Sequence, residues 1–448
     1  MLPFLNNPNS LLKKVLVFQM SSLTPKHQDY QPLKQTDVDL KNNDPLEHEV
    51  DGPHESQPAH EISTWKIALN IINIMEGVGF LALPYAIKLG GITAVVAFFV
   101  VPFIMVYTVR LLTDCIDDED EDGEQKRERP TYQEIGKACW APFESVIWWL
   151  LTITLCIIAV SYIVLCSSLM SQQFPNVPIT KTQWSCLGSL LVFPTVFFKQ
   201  FSQVAWISLI GLLALIASAS VAFSYEFQET SRWSFQSVLF WDTADVFVAL
   251  PIIVLSFGCH TVLVSMAADV SDQSKFNKAL IGSYLFGAAY KFTFAMTGFL
   301  TYTTGTKEVL IDNLPTGILT KVTATLFTLN ILLTYPIPIL LVVRNLEELS
   351  VYEKLTNKIP PTVIDVLLRI VVTSTILAIA VWMPHFALVT ALGGCLDYFI
   401  GFTFPALFHL RLRYNRLTKL QVAIDVILII IGSTGAVCGL VTTIISFS

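Results

Sequence analysis

Charged residues are scarce in this chain of 448 residues: they make up 14%, while hydrophobic residues make up 53% and the mean hydropathy is +0.60. A soluble domain carries about 25% charged residues, so this composition excludes a soluble globular protein. Apolar runs of about 20 residues or more recur along the chain, and each is long enough to cross a bilayer. The sequence therefore predicts an all-α integral membrane protein.

Motifs for nucleotide binding and hydrolysis are missing as well. The chain has no GxxxxGK[ST] loop, no HExxH and no GxSxG, so neither ATP-driven transport nor the familiar hydrolase chemistries have support. The eight cysteines form no CxxC pair, and most fall within apolar segments, which predicts packing roles for them. We expect no metal and no cofactor, and any pumping would draw on an ion gradient.

The N-terminal residues 1–63 are polar and lack periodicity, which predicts a disordered tail ahead of a transmembrane domain at 64–448. Within the tail, Tyr30-Gln31-Pro32-Leu33 fits the Tyr-x-x-hydrophobic pattern read by sorting adaptors. A sorting signal and a plain linker both remain open for this motif. Either Met1 or Met20 could be the true start. The net charge of −7 comes from this tail and from an acidic segment at 117–129.

About eleven transmembrane helices are predicted after the tail. Their approximate ranges are 65–88, 91–115, 143–170, 184–198, 204–225, 246–270, 279–303, 319–343, 362–384, 386–410 and 421–446. Lys and Arg concentrate in the segments that lie on the same side as the tail, and cytoplasmic loops carry such an excess. We therefore predict a cytoplasmic N-terminus and a C-terminus on the opposite side.

Two of the predicted spans are interrupted near their middle. Asn70, Asn73, Glu76, Gly77 and Gly79 interrupt the first, and Ser256-Phe257-Gly258-Cys259-His260-Thr261 interrupts the sixth. Matched breaks in two five-helix halves are typical of inverted-repeat transporters, which bind substrate at the broken helices. We therefore predict a first repeat at about 64–226, a second at about 245–411 and an extra helix at about 421–446. Two glycine kinks that serve helix packing are the alternative.

Four ionisable residues fall deep within the predicted spans, where charge is costly unless paired or functional. They are Glu76, His260, Lys291 and Asp397. Two carboxylates against one ammonium leave a surplus negative charge that a proton could neutralise, so we predict proton coupling through these four. A static lysine–carboxylate pair that only holds helices together, and a hydrogen-bonded core histidine, are the structural alternatives. Asp425 and Glu226 lie near span ends and are predicted to be interfacial.

Six short motifs lie in register along the chain. They are Leu83-Pro84-Tyr85-Ala86-Ile87 with Gly90-Gly91, Glu119-Asp120-Glu121-Asp122-Gly123-Glu124, Lys307-Glu308-Val309 with Asp312-Asn313-Leu314-Pro315, Tyr335-Pro336-Ile337-Pro338, Pro384-His385-Phe386-Ala387-Leu388 and Pro405-Ala406-Leu407-Phe408-His409-Leu410. With them the chain resembles the amino acid/auxin permease family, and within it the branch of vesicular inhibitory amino acid transporters. The resemblance covers roughly residues 64–441.

The resemblance implies eleven helices with an inverted five-plus-five repeat and the exchange of luminal protons for GABA or glycine at a vesicle membrane. Two positions depart from the branch. Glu76 stands where the branch has a neutral amide, and Val264 with Ala267-Ala268 stands where it has a proline and an acid. We interpret the two differences as a shift of the acid from the sixth span to the first. A proton-coupled neutral amino acid permease of the plasma or lysosomal membrane is therefore the alternative.

These observations predict a substrate site at the two breaks. The substrate carboxylate would meet the N–H groups around Gly77 to Phe80, and its amine the carbonyls around Ser256 to Gly258. The predicted substrate-binding residues are Asn73, Glu76, Gly77, Val78, Gly79, Phe80, Ser256, Phe257, Gly258 and His260, and the predicted proton-coupling residues are Glu76, Asp397, Lys291 and His260. The rival readings are a membrane-embedded acyltransferase with a catalytic His260, and an ion channel or sensor built on a transporter fold.

Overall fold

The structure is a computed structural model that describes residues 63–119, 125–127, 129–174, 176–197, 201–239, 243–270, 272–315 and 317–447. The predicted tail, with Met20 and the Tyr30–Leu33 motif, lies outside the described residues. Within them the chain is almost entirely helical, which confirms the all-α prediction. The helices are α1 (Thr64–Met75), α2 (Leu83–Asp114), α3 (Tyr132–Cys139), α4 (Pro142–Gln173), α5 (Lys181–Val192), α6 (Phe201–Gln228), α7 (Thr243–Phe257), α8 (His260–Asp269), α9 (Gln273–Tyr302), α10 (Ile318–Thr334), α11 (Pro336–Glu347), α12 (Ser350–Thr356), α13 (Pro361–Trp382), α14 (Phe386–Tyr398), α15 (Phe404–Arg413) and α16 (Lys419–Phe447).

Seven helical stretches of the described residues are long and apolar enough to cross a membrane. They are Gly79–Asp114, Pro142–Gln173, Asp245–Asp269, Thr320–Glu347, Pro361–Trp382, Phe386–Arg416 and Lys419–Phe447. The protein is therefore a multi-pass membrane protein. Helices also occupy the remaining predicted spans, although α5 ends at Val192 and passes into a 3₁₀ turn over Phe193–Phe197. The count of eleven spans and the inverted repeat stay predictions.

The boundary predicted between the first two spans is a kink at one residue. Gly91 has φ 50° and ψ −132° within α2, a backbone conformation that residues with a Cβ rarely adopt. The helix before the kink therefore continues into the next one without a loop. The eighth span is also divided just before its two prolines, because α10 ends at Thr334 and α11 begins at Pro336.

Glycines allow the closest helix contacts. A Cβ on Gly394 would lie 1.8 Å from the carbonyl oxygen of Pro251, so α14 and α7 touch backbone to backbone. Helix α9 also packs closely at a small residue, since a Cβ on Gly287 would lie 2.7 Å from the sulfur of Met75. Close approach of this kind is how membrane helices associate.

Two features of the fold differ from the sequence prediction. The acidic segment at 117–129 contains two short antiparallel strands, β1 (Asp117–Glu119) and β2 (Gln125–Arg127), where the sequence predicted no strand. The tenth span contains a π-helical turn over Phe399–Thr403. Tyr132 of α3 is buried and donates a hydrogen bond of 2.6 Å to the carbonyl of Ile400 in that turn. π-helical turns frequently lie at functional sites, and this one directly follows the helix that carries Asp397.

The connection between α9 and α10 is tied to two transmembrane helices. The Ser168 hydroxyl of α4 donates to Oδ2 of Asp312 across 2.9 Å, and the amide of Gln172 donates to the carbonyl of Ile311 across 2.7 Å. Lys88 of α2 donates to the carbonyl of Thr306 across 2.9 Å. Burial raises the pKa of the Asp312 carboxyl above its usual value, and the Ser168 hydrogen bond opposes that shift. This connection therefore closes over one end of the bundle.

Candidate site at the two helix breaks

The first predicted break is present. Helix α1 ends at Met75, Gly77 is extended with φ −108° and ψ −174°, and a 3₁₀ turn over Val78–Ala82 leads into α2. Because a helix end leaves carbonyl groups without intrahelical partners, the end of α1 presents a partial negative charge. The break therefore places Glu76 directly after the C-terminal end of α1.

The second predicted break is also present. Helix α7 ends at Phe257 and α8 begins at His260, with Gly258 and Cys259 between them. Asp397 of α14 reaches this break, because a Cβ on Gly258 would lie only 1.8 Å from its Oδ2. A side chain at position 258 would thus displace the carboxylate. The glycine is required here by close approach of a functional group as well as by the chain break.

Lys291 joins the two breaks. Its ammonium donates 2.8 Å to the carbonyl of Met75 at the end of α1, and it also donates to the carbonyl of Ser256 near the end of α7. The side chain is 1% exposed and its Nζ lies 4.0 Å from Oε1 of Glu76. The Phe257 ring lies 5.0 Å below the same nitrogen. A single cation therefore satisfies the C-terminal ends of both broken helices.

The Glu76 carboxylate is buried without hydrogen bonds. Its side chain is 4% exposed, and neither oxygen has a hydrogen-bond partner within the described part of the chain. The separation from Lys291 is at the outer limit of an ion pair. Because nearly all buried polar groups in proteins are hydrogen-bonded, a carboxylate with no protein partner marks this position as a candidate for a polar ligand.

The predicted carbonyl site for a substrate amine is already occupied. Lys291 donates to the carbonyl of Ser256, and the Tyr284 hydroxyl donates to that of Phe257 across 3.0 Å. The Ser256 hydroxyl is also engaged, since it donates 2.7 Å to the carbonyl of Ile253 in its own helix. A substrate amine would have to displace or share these donors, which favours Glu76 as its partner.

His260 lies apart from the other three ionisable residues in its hydrogen bonding. Its Nε2 lies 2.8 Å from the Thr108 hydroxyl of α2, whereas Nδ1 has no partner among the described residues. The described contacts of His260 thus include a threonine and no Asn or Asp. A membrane-embedded acyltransferase would need such a partner for a catalytic histidine, so this geometry does not support that alternative.

The remaining predicted residues line the first break in different ways. Phe80 is buried, with its ring stacked on Tyr290 and Phe294 at centroid distances of 5.4 and 4.0 Å. Asn73 is half-buried, and the space that a Cβ on Gly77 would occupy is open. A Cβ on Gly79 would lie 3.5 Å from Thr390. The side chain of Val78 lies outside the described part of the structure.

Two pockets lie in the described part of the chain. The first, the Asp114 pocket, has a volume of 410 Å³ and is lined by Thr113, Asp114, Ile116, Asp117, Gln273, Asn277, His409, Arg413, Arg416, Leu417 and Gln421. The second, the Tyr290 groove, has a volume of 490 Å³ and is lined by Ser220, Phe223, Phe227, Phe286, Ala289, Tyr290 and Thr293. Neither pocket is lined by a described residue that we predicted to bind substrate. The Tyr290 groove borders the first break, because the Tyr290 ring stacks on Phe80.

Sequence reasoning missed two buried carboxylates. Asp425 and Glu226, predicted to be interfacial, are both fully buried in protein. Asp425 lies 2.8 Å from Nδ1 of His409, and Glu226 accepts a hydrogen bond of 2.5 Å from Thr297. Their positions near span ends suggested contact with water. Only the packing of neighbouring helices shows that they are enclosed, although His409 sixteen residues before Asp425 was an available signal.

The helical fold and the two breaks define a multi-pass transporter fold. The chain shares it with a solved structure of a manganese transporter mutant from Eremococcus coleocola, at a TM-score of 0.51 and 10% identity, covering 87% of this chain and 90% of that one. Residues 60–445 match the family model described as transmembrane amino acid transporter protein. The chain belongs to this family, the amino acid/auxin permeases.

Curated relatives agree with that assignment. The chain is 30% identical over 397 residues to the vesicular inhibitory amino acid transporter of Homo sapiens, an alignment that covers 85% of this chain and 75% of that protein. It is 28% identical over 382 residues to the amino acid transporter AVT1E of Arabidopsis thaliana, covering 83% and 71%. The resemblance stated from the six motifs is confirmed, and amino acid transport is the activity that these relatives share.

Proposed function

We propose that the protein is a secondary active transporter that exchanges protons for small neutral amino acids, and that it loads GABA or glycine into vesicles. One observation carries the proposal. The Lys291 ammonium bridges the ends of two broken helices while the Glu76 carboxylate beside it has no hydrogen bond within the described residues. A buried charge pair held 4.0 Å apart leaves both partners available to a zwitterion.

In this proposal the substrate inserts between the two charges. Its ammonium binds the Glu76 carboxylate, and its carboxylate binds Lys291 together with N–H groups at the start of the 3₁₀ turn over Val78–Ala82. Of the predicted N–H groups, those of Gly77 and Phe80 already donate to the carbonyls of Met75 and Gly77. This arrangement modifies our expectation from sequence, because the carbonyls of Ser256 and Phe257 already accept hydrogen bonds. Each charged group of the substrate then pairs with Glu76 or Lys291, in place of the weak ion pair between these two side chains.

Exchange follows from competition for one carboxylate. Glu76 can be neutralised by a proton or by the substrate ammonium, but the two cannot occupy it together. A carrier that crosses the membrane only with Glu76 neutralised would therefore move a proton one way and an amino acid the other. Asp397, held against Gly258, is the second proposed proton carrier, and His260 and Lys291 tune the two acids.

The orientation follows the charge distribution. With the N-terminal tail cytoplasmic, the segments 110–137 and 411–419 lie on the same side. The Asp114 pocket is built from these segments and would therefore open to the cytoplasm. The connection between α9 and α10 would then lie on the side of the membrane that faces the vesicle lumen.

The experiment is transport by Glu76→Gln in proteoliposomes. We expect this variant to lose accumulation driven by a pH gradient while it retains exchange of labelled for unlabelled substrate, because the amide can still accept a hydrogen bond but cannot carry the proton. Glu226→Gln is the matched control, since it removes another buried carboxylate, which accepts its hydrogen bond from Thr297 rather than pairing with Lys291. Full pH-driven accumulation by Glu76→Gln would reject the assignment.

A further inference from the structure

Three polar side chains from three helices meet at a place that the proposed exchange does not use. Asp425 of α16 is fully buried, and its Oδ2 lies 2.8 Å from Nδ1 of His409 on α15. The Tyr107 hydroxyl of α2 donates to Oδ1 across 3.3 Å. Both oxygens of this carboxylate therefore have a partner, in contrast to those of Glu76.

The Asp425–His409 pair has a route to water. His409 is 4% exposed, yet it is one of the residues that line the Asp114 pocket. Asp425 does not line that pocket itself, so the imidazole stands between the carboxylate and the open volume. A proton from the pocket would reach Asp425 through His409. Histidine is suited to this because its ordinary pKa lies within the physiological range.

One proton decides the net charge of the buried pair. A carboxylate next to a neutral imidazole would leave a net negative charge out of water, which is costly. One added proton makes the pair neutral overall, whichever of the two side chains carries it. The other titratable and charged groups around the pair and its pocket are Tyr107, Arg110, Asp114, Asp117, Arg413 and Arg416.

The pair is also placed to influence the transport site. Helix α16, which carries Asp425, packs against the tenth span at three glycines. A Cβ on Gly432 would lie 2.4 Å from the Thr403 hydroxyl, and one on Gly439 would lie 2.9 Å from the sulfur of Cys395. These contacts lie on both sides of Asp397 along the tenth span. Movement of α16 therefore displaces the segment that holds Asp397 against Gly258.

We propose that Asp425 and His409 form a second proton-binding site, which exchanges its proton with the water of the Asp114 pocket and thereby responds to pH on that side of the membrane. The site lies outside the helix breaks and adds to the proposed exchange a dependence on the pH of one compartment. Only the transport measurement below rests on the proposed function; the spectroscopic measurement is independent of it.

The direct test follows the protonation of His409 in the full-length protein in lipid nanodiscs. Ring nitrogen spectra of isotope-labelled histidine are recorded between about pH 5.5 and 8.5, and the His409 signal is identified by its loss in His409→Gln. We expect this signal to titrate, and we expect Asp425→Asn to shift its midpoint. A His409 signal that stays constant over the range, or a midpoint that Asp425→Asn leaves unchanged, would overturn the proposal.

The second test measures exchange of labelled for unlabelled amino acid while pH is varied on the pocket side alone. Wild-type exchange should depend on that pH through Glu76 and, in addition, through the Asp425–His409 pair, and Asp425→Asn should lose the second contribution while it keeps exchange at a fixed pH. Tyr107→Phe, which removes only the hydroxyl hydrogen bond, should keep the dependence with a shifted midpoint and provides a milder variant if Asp425→Asn fails to fold. Retention of the full wild-type dependence by a folded Asp425→Asn variant would contradict the proposal.

Failure of this proposal and failure of the proposed function give different results. If wild-type protein shows no pH-driven accumulation but the His409 signal titrates with Asp425, the exchange reading is rejected and the second site stands. If accumulation is normal and the His409 signal does not titrate, the proposed exchange stands and the second proton-binding site is rejected.

Discussion

Lys291 lies 4.0 Å from the Glu76 carboxylate, yet its hydrogen bonds go to the carbonyls of two helix ends instead. The ammonium thus acts as a fixed cation that neutralises the C-terminal dipoles of α1 and α7. The Glu76 carboxylate beside it accepts no hydrogen bond from the described residues. This arrangement connects the fold to the proposed exchange, because the residue that stabilises the breaks also contributes one half of the substrate site.

Replacement of Lys291 tests that double role. Lys291→Met should destabilise the protein by about 3–5 kcal/mol, since it leaves a buried carboxylate and two helix ends without their cation. The double variant Lys291→Met with Glu76→Gln should recover part of this loss, because the uncompensated charge is removed while the helix ends stay unpaired. Thermal unfolding of both variants in the same detergent measures the difference. Equal stability of the single and double variants would contradict an uncompensated Glu76 charge in Lys291→Met.

Gly258 should tolerate no side chain while Asp397 keeps its position. Gly258→Ala would place a methyl group 1.8 Å from Oδ2, so we expect a loss of about 1–3 kcal/mol in stability and a marked loss of exchange. Gly282→Ala is the matched control, because nothing lies within 4 Å of a Cβ at that position of α9. The melting temperature and the exchange rate are measured for both variants and compared with those of the wild-type protein. Wild-type values for Gly258→Ala would contradict the described contact.

The Asp312 carboxyl should make stability depend on pH. Burial raises its pKa in the folded protein above the value in the unfolded chain, so folding favours the protonated form. The corresponding stability is fully present below the unfolded pKa and is lost as pH rises through the folded pKa. Asp312→Asn should therefore weaken the decline of melting temperature with rising pH. An unchanged pH profile in this variant would show that Asp312 does not titrate in this way.

Much of the fold could be predicted from sequence because long apolar runs and mid-span glycines have direct structural meaning. The breaks at Gly77 and Gly258 and the division at Tyr335 follow from local backbone chemistry, and the structure confirms all three. The π-helical turn over Phe399–Thr403 was missed, because its residues are apolar and carry no breaker signal other than Gly401. It depends on tertiary contacts such as that from Tyr132 to Ile400.

The residues of the candidate site could be predicted from the sequence, whereas the contacts between them could not. Rarity of charge within apolar spans identified Glu76, Lys291, His260 and Asp397, which the structure buries. Which carbonyls Lys291 would occupy could not be read from spacing, because the answer depends on how α9 crosses two other helices. Asp425 was misjudged for the same reason, since proximity to a span end says nothing about the helices packed around it.

The central claim is proton-coupled exchange of a small neutral amino acid, and it is tested most directly by uptake into proteoliposomes that hold the purified wild-type protein. The interior is made acidic, the membrane potential is set independently, and radiolabelled GABA, glycine and alanine are compared. Accumulation of at least one label that collapses when the pH gradient is dissipated is the predicted result. Failure to accumulate any of the three, in vesicles where the protein is folded and correctly oriented, would contradict the account.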